Sequence, residues 1–138
     1  MTIKIADLMA KQVITAQPHH SVEHVRNLME RNAIHSVPVV APNNEPVGIV
    51  TTTNLARRLK DSTPISRIMS KNVTVVPAYN DVSVAARIMR NHQIHHVIVT
   101  HEKQVVGLIS SFDLLKLVEG HRYVEKNAPP RSRKKRKS

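Results

Sequence analysis

Apolar and polar positions along this chain follow two periods in alternation, and the whole succession runs through twice. A short β-branched run, Val13 to Thr15, leads to Ser21. Val22, Val25, Leu28 and Met29 then recur at helical spacing and define one apolar face. Two further runs, Val37 to Val40 and Val47 to Val50, flank a turn rich in Pro and Asn and read as paired strands. A second helical stretch spans Thr53 to Leu59. Sixty positions later the same order returns: Val73 to Val76, then Asp81, then Val82, Ala85, Ile88 and Met89. Strands at Val97 to Thr100 and Val105 to Ile109 follow, around His101-Glu102-Lys103-Gln104, and a helix at Phe112 to Val118 closes the unit. Ser21 and Asp81 stand where helix N-caps belong.

The predicted order is therefore β-α-β-β-α, twice: an α+β protein whose halves pack with pseudo-two-fold symmetry. The expected divisions are residues 1–60, 61–122 and a tail at 123–138, with Lys60-Asp61-Ser62-Thr63-Pro64 between the halves. About 55 residues bury too little apolar surface to stand alone, so each half needs the other.

The most informative segments are Gly48-Ile49-Val50-Thr51-Thr52-Thr53-Asn54-Leu55 and Gly107-Leu108-Ile109-Ser110-Ser111-Phe112-Asp113-Leu114. Each reads as a strand running straight into a helix start, where unpaired backbone N–H groups can hold an anion. Ser110 and Asp113 would offer a hydroxyl and a carboxylate to a ribose or another polyol. The same Ser-x-x-Asp spacing also suits a capping box, and both readings stand on the sequence. The second copy arrives at an offset of 59, one residue having been lost from the turn between the strands.

Composition narrows the class. Aromatic residues make up 2% of the chain, so the core must be built from Val, Ile, Leu, Met and Ala. With no Cys there is neither a disulfide framework nor a thiolate zinc site. No signal-peptide pattern or membrane-length apolar run is seen, and a soluble cytoplasmic protein is expected. His92, His95 and His96 lie close in sequence, as do His19, His20 and His24. Without Cys or a His-Glu-x-x-His arrangement no metal site is predicted. Three glycines and no Ser-His-Asp logic give no support for an enzyme. Of the net charge of +11, most lies from Lys126 onward, in seven basic residues and no acid. Arg131, Arg133, Lys134, Lys135, Arg136 and Lys137 form a candidate polyanion-binding tail for RNA, DNA or an acidic protein surface. The alternative is a merely solubilising end. With no aromatic residue interleaved, binding there would be sequence-blind.

The paired set of features resembles a tandem cystathionine-β-synthase (CBS) domain pair, or Bateman module. Met9 and Met69 precede the first strands, Ile34-His35-Ser36-Val37-Pro38-Val39-Val40 matches the family's segment, and both Gly-h-h-(Thr/Ser)-x-x-(Asp/Asn) stretches match. The resemblance covers about Ile3 to Gly120. It implies a non-catalytic regulatory module that binds AMP, ADP, ATP or S-adenosylmethionine between the repeats, with no cofactor required. Carried over by position, it implies a main site of Val73, Val75, His96, Val97, Ile98, Ser110 and Asp113. A second site would use Thr15, Val37, Pro38, Thr51 and Asn54. Asn54 stands where the family has an acid, Val75 where it has Thr and Ile98 where it has Pro. His35, His95, His96, Arg57 and Arg58 are candidates to meet phosphate, or else solvated surface. The resemblance also implies a homodimer through the faces Val22–Met29 and Val82–Met89, and output to a separate, unknown regulated protein. A nucleic-acid or acidic-partner adaptor acting through the tail is the alternative function.

Overall fold

In the computed structural model the described residues are 3–119, and they form the mixed α+β fold expected. In chain order the elements are α1 (Ile5–Leu8), α2 (Val22–Asn32), β1 (Ser36–Val40), β2 (Pro46–Thr51), β3 (Val75–Pro77), α3 (Val82–His92), β4 (His96–His101), β5 (Gln104–Ser110) and α4 (Ser111–Glu119). Helices α2 and α3 start at the foreseen caps. The N–H of His24 donates to Ser21 Oγ (3.1 Å) and that of Ser83 to the Asp81 carboxylate (3.0 Å). Both end on a left-handed residue, Ala33 (φ 53°) and Gln93 (φ 54°), whose N–H bonds the carbonyl of Met29 or Met89. That conformation costs a non-glycine residue roughly 1–2 kcal/mol. It turns the chain sharply, so that residues 34–36 and 94–96 leave the helices to form cleft walls.

Strands β1 and β2 pair antiparallel, as do β4 and β5, while β3 runs parallel to β4. Two elements foreseen in the first half are reduced. The strand at Val13–Thr15 becomes a single parallel bridge between Ala16 and Val39. In the second half the N–H of Ile98 donates to the Thr74 carbonyl (3.2 Å). Pro38 occupies the matching place and has no N–H to give, so the ladder is shorter. The helix at Thr53–Leu59 contracts to one 3-10 turn at Asn54–Ala56. Arg26 Nη2 donates to the Leu55 carbonyl (2.9 Å), occupying the acceptor that a continuing α-helix would offer to Leu59.

The opening segments of the two repeats cross over. Ile5, fully buried, completes the core of the second half with Val76, Val82, Ala85, Met89, Val97, Val99 and Ile109. Its N–H donates to the Asn80 carbonyl (3.0 Å), and Ala10 exchanges two backbone bonds with Leu108. Reciprocally, Ile65 and Ile68 complete the first core with Val22, Val25, Met29, Val37, Val39 and Val50. The N–H of Ile65 donates to the His20 carbonyl (2.8 Å), and Ser70 exchanges two bonds with Ile49. Met9 lies against Gly107 and Met69 against Gly48, so closely that a Cβ at either glycine would strike the methionine sulfur. Each Met thus pairs with a Gly of the other repeat. A third cluster joins the halves at the seam: Val40, Ile98 and Val105, packed with Val13, Ile49, Val73 and Leu108.

The apolar helix faces expected to make a dimer contact are used inside the molecule. Val22, Val25 and Met29 on α2, and Val82, Ala85 and Met89 on α3, are all buried in the cores of their own halves. The exposed apolar residues include instead a stripe on α4: Phe112, Leu115 and Val118.

Candidate functional site

Each strand-to-helix corner is closed by its own polar pair. At the second corner the N–H and Oγ of Ser110 both donate to one oxygen of the Asp113 carboxylate (2.9 and 3.1 Å). The N–H of Asp113 donates back to Ser110 Oγ (3.1 Å). This is a reciprocal cap, so the capping reading holds. The other carboxylate oxygen lies 3.5 Å from Lys116 Nζ. At the first corner the N–H and Oγ of Thr51 donate to Asn54 Oδ1 (2.7 and 3.0 Å). A neutral amide oxygen therefore accepts the same two bonds as the carboxylate, and capping alone does not require the charge of Asp113.

Two clefts flank the seam. One, of about 580 Å³, is lined by Thr51, Thr52 and Thr53 at the first corner and by Ile49, Ser70, Lys71, Asn72, Thr74, Ile94 and Ile98. The other, of about 570 Å³, holds Ser110, Ser111, Phe112 and Asp113 with Leu108, Ala10, Ala33, Ile34 and Ser36. His35, His95 and His96 line both. In each cleft the wall facing the corner comes from the other repeat, a direct result of the crossed opening segments and the left-handed helix ends.

The structure brings Ser110, Asp113 and His96 together in the 570 Å³ cleft. Ile98 instead lines the 580 Å³ cleft with Thr51. Val73 is part of the seam cluster, and Asn54 closes the first corner without lining either cleft. Val97 and Val37 are fully buried in the two half-cores, so neither faces a cleft. Val75, on β3, is exposed; Thr15 and Pro38 line neither of the two clefts, and nor do Arg57 and Arg58. Ala10, Ser70, Lys71, Asn72 and Thr74 join the cleft walls without having been candidates, and Ile34 and Ser36 join them from the family-like segment. Their spacing carries no sign of which repeat they would face. Arg131, Arg133, Lys134, Lys135, Arg136 and Lys137 lie outside the described residues.

Three imidazoles, His35, His95 and His96, sit together at the seam. Burial pushes His96 below the ordinary imidazole value; His95 and His35 push the same way, and Asp113 opposes them. His95 Nδ1 lies 3.3 Å from Ser111 Oγ, which ties it to the second corner. In the other imidazole group the rings of His19, His20 and His24 lie tilted against one another, with successive centroids 4.6 and 4.4 Å apart. Among the described residues no three His, Cys, Asp or Glu side chains converge as metal ligands, and no helix is long and apolar enough to cross a membrane.

Two β-α-β-β-α-like halves, joined at a seam with a polar corner and a cleft on each side, define a paired-cleft fold. The CBS domain family matches this chain over residues 5–61 and 65–120, and the chain belongs to that family. It is similar in structure to the CBS domain pair of protein MJ0100 in complex with 5′-methylthioadenosine and S-adenosyl-L-methionine. That pair is 27% identical, with a TM-score of 0.80 over 87% of this chain and 98% of the other. It is also similar to the CBS domain protein PAE2072 from Pyrobaculum aerophilum complexed with AMP, at 25% identity and a TM-score of 0.75 over 86% and 100%. In sequence it is 29% identical to a homoserine O-acetyltransferase of Methanosalsum zhilinae over 87% of this chain. The chain spans about a quarter of the length of that relative (25%).

Proposed function

We propose that the chain is a non-catalytic regulatory module that holds an adenosyl compound in the seam clefts and reports occupancy to a separate protein. The observation that carries this reading is the Ser110–Asp113 pair lining a cleft large enough for a nucleoside. A carboxylate accepts two hydrogen bonds from a vicinal diol, and its own cap leaves that role to charge rather than shape. The ligands named for the two similar structures, 5′-methylthioadenosine with S-adenosyl-L-methionine and AMP, support the class. That a similar module makes up a quarter of an acetyltransferase supports a regulatory role.

Thermal melts with AMP, ADP, ATP and S-adenosylmethionine test the reading. A ligand at about 100 times its Kd adds about 2.7 kcal/mol. Asp113→Asn keeps the cap, as Asn54 does at the first corner, and removes the charge. A smaller ligand increment with an unchanged ligand-free melt supports the site; an intact increment for all four ligands in the variant overturns it.

We also propose a homodimer, with the exposed stripe on α4 as its contact. Lys116 and Glu119 border that stripe, so an antiparallel two-fold pairing sets each against its opposite in the second copy. Sedimentation of Leu115→Asp beside the parent chain tests this; a parent mass equal to one chain at every concentration overturns it.

A further inference from the structure

We propose that His20 is an acid-sensitive latch on one cleft wall. Its neutral imidazole holds the turn at residues 17–20, on which the opening segment of the second repeat docks. A proton on the ring releases that segment and loosens the 580 Å³ cleft it walls. The proposal goes beyond ligand binding and holds whichever compound fills the cleft.

The turn supplies two acceptors to the docked segment. The N–H of Ile65 donates to the His20 carbonyl (2.8 Å) and that of Ser66 to the Pro18 carbonyl (3.1 Å). A few residues on, Ser70, Lys71, Asn72 and Thr74 line the cleft. The turn itself is closed from both sides of His20. Its backbone N–H donates to the Gln17 carbonyl (2.9 Å), and its ring Nδ1 accepts the Gln17 N–H (2.9 Å). An accepting Nδ1 puts the ring hydrogen on Nε2, and an imidazolium has no lone pair left to accept with. Protonation therefore breaks the bond and sets two N–H groups against each other.

The second half provides an internal control. Pro77 stands at the place of Gln17 and has no N–H to satisfy, and Asn80 stands at that of His20. The equivalent docking bonds are kept there without an imidazole: Ile5 N–H to the Asn80 carbonyl (3.0 Å) and Ala6 N–H to the Ala78 carbonyl (2.8 Å). Only the first half has a turn that depends on a titrating ring.

The surroundings of His20 set the direction. Burial, then His24 on α2 and His19 beside it, lower its affinity for a proton. The positive N-terminal end of α2, whose cap is Ser21, works the same way. Glu23 is the acid in the first turn of that helix. On the docked segment, the Asp61 carboxylate lies 3.9 Å from Arg26, and Arg67 is the charged residue of the 3-10 turn Ile65–Arg67. Among the described residues no carboxylate pairs with His20. The latch is therefore shut at neutral pH and opens on acidification.

Amide hydrogen exchange of the whole chain at pH 7.5 and 5.5, corrected for the intrinsic effect of pH, tests the latch. Ile65 and Ser66 should lose protection about tenfold at the lower pH, the weight of one hydrogen bond, while Ile5 and Ala6 keep theirs. His20→Asn and Gln17→Pro, each copying the second half, should both abolish that loss. Nitrogen-15 NMR of the parent chain needs no variant: at pH 7.5 His20 should be the Nε2–H tautomer. An unchanged protection at Ile65 and Ser66, an equal loss at Ile5 and Ala6, a loss that survives both substitutions, or an Nδ1–H tautomer overturns the latch.

Discussion

The two halves follow one plan and depart from it in informative places. What they share is the joint: a Met laid on the other half's Gly, a left-handed residue ending the long helix, and a corner where Thr51 or Ser110 gives two hydrogen bonds to the residue three places on. What differs lies away from the joint. The second half has a three-stranded sheet and a nine-residue closing helix; the first has two strands and a single 3-10 turn. The contrast teaches that the seam is geometrically demanding, because both halves must present matching surfaces there. Cleft walls and outer elements can vary without disturbing it.

The largest expected effect breaks the crossed cores. Ile5→Ala and Ile65→Ala each empty a fully buried site and should cost about 2–5 kcal/mol in chemical denaturation. Hydrogen exchange sharpens the comparison: Ile5→Ala should first release amides of β4 and β5, and Ile65→Ala those of β1 and β2. Next come the glycines. A Cβ at Gly107 would meet the backbone carbonyl of Ala10 at 3.0 Å as well as Met9, whereas at Gly48 only the flexible Met69 side chain is close. Gly107→Ala should therefore cost more than Gly48→Ala, within the roughly 1–3 kcal/mol typical of overpacking.

A pH series follows. Folded His96 binds its proton less tightly than an unfolded imidazole, because it is buried beside His95 and His35. The unfolded chain then holds more protons as pH falls below about 6.5, so the stability present above that value is lost on acidification. His20, lowered by burial and by His24 and His19, acts in the same direction. Melting temperatures of the parent chain should drop from pH 7.5 to 5.5, and His96→Gln should drop less. The smallest effect is expected at Ser36, whose counterpart is the partly buried His96. Its hydroxyl is buried with no partner among the described residues, so Ser36→Ala should be neutral or stabilising by up to about 1 kcal/mol in a thermal melt.

Much of this was legible in the residue pattern. The 60-residue spacing located both long helices and both caps, and the apolar runs placed β1, β2, β4 and β5 to within a residue or two. The first-half reductions were harder. Pro38 announces a missing donor only once Ile98 is seen using its own, and the capture of the Leu55 carbonyl by Arg26 joins residues 29 apart in sequence. The clefts were half legible. Ser110, Asp113 and Thr51 carry their own local signal, a hydroxyl or an acid beside a helix start, and His96 carries one as an imidazole at a strand start. Val97 and Ile98 do not, because a strand buried on both faces reads as a continuous apolar run that hides which side chain turns toward the seam. Repetition also reports that an element occurs twice without saying which copy it will face, so the crossing of Ser70 to Thr74 onto the Thr51 corner left no trace.

The exchanged opening segments make the halves interdependent in a way that reaches beyond packing. Ile5 has its socket only in the later repeat, and Ile65 only in the earlier one. A lone repeat would carry a plug without its socket and a socket without its plug. Two such fragments could satisfy each other, however, which gives a duplicated gene a ready route from a pair of separate chains to a single one.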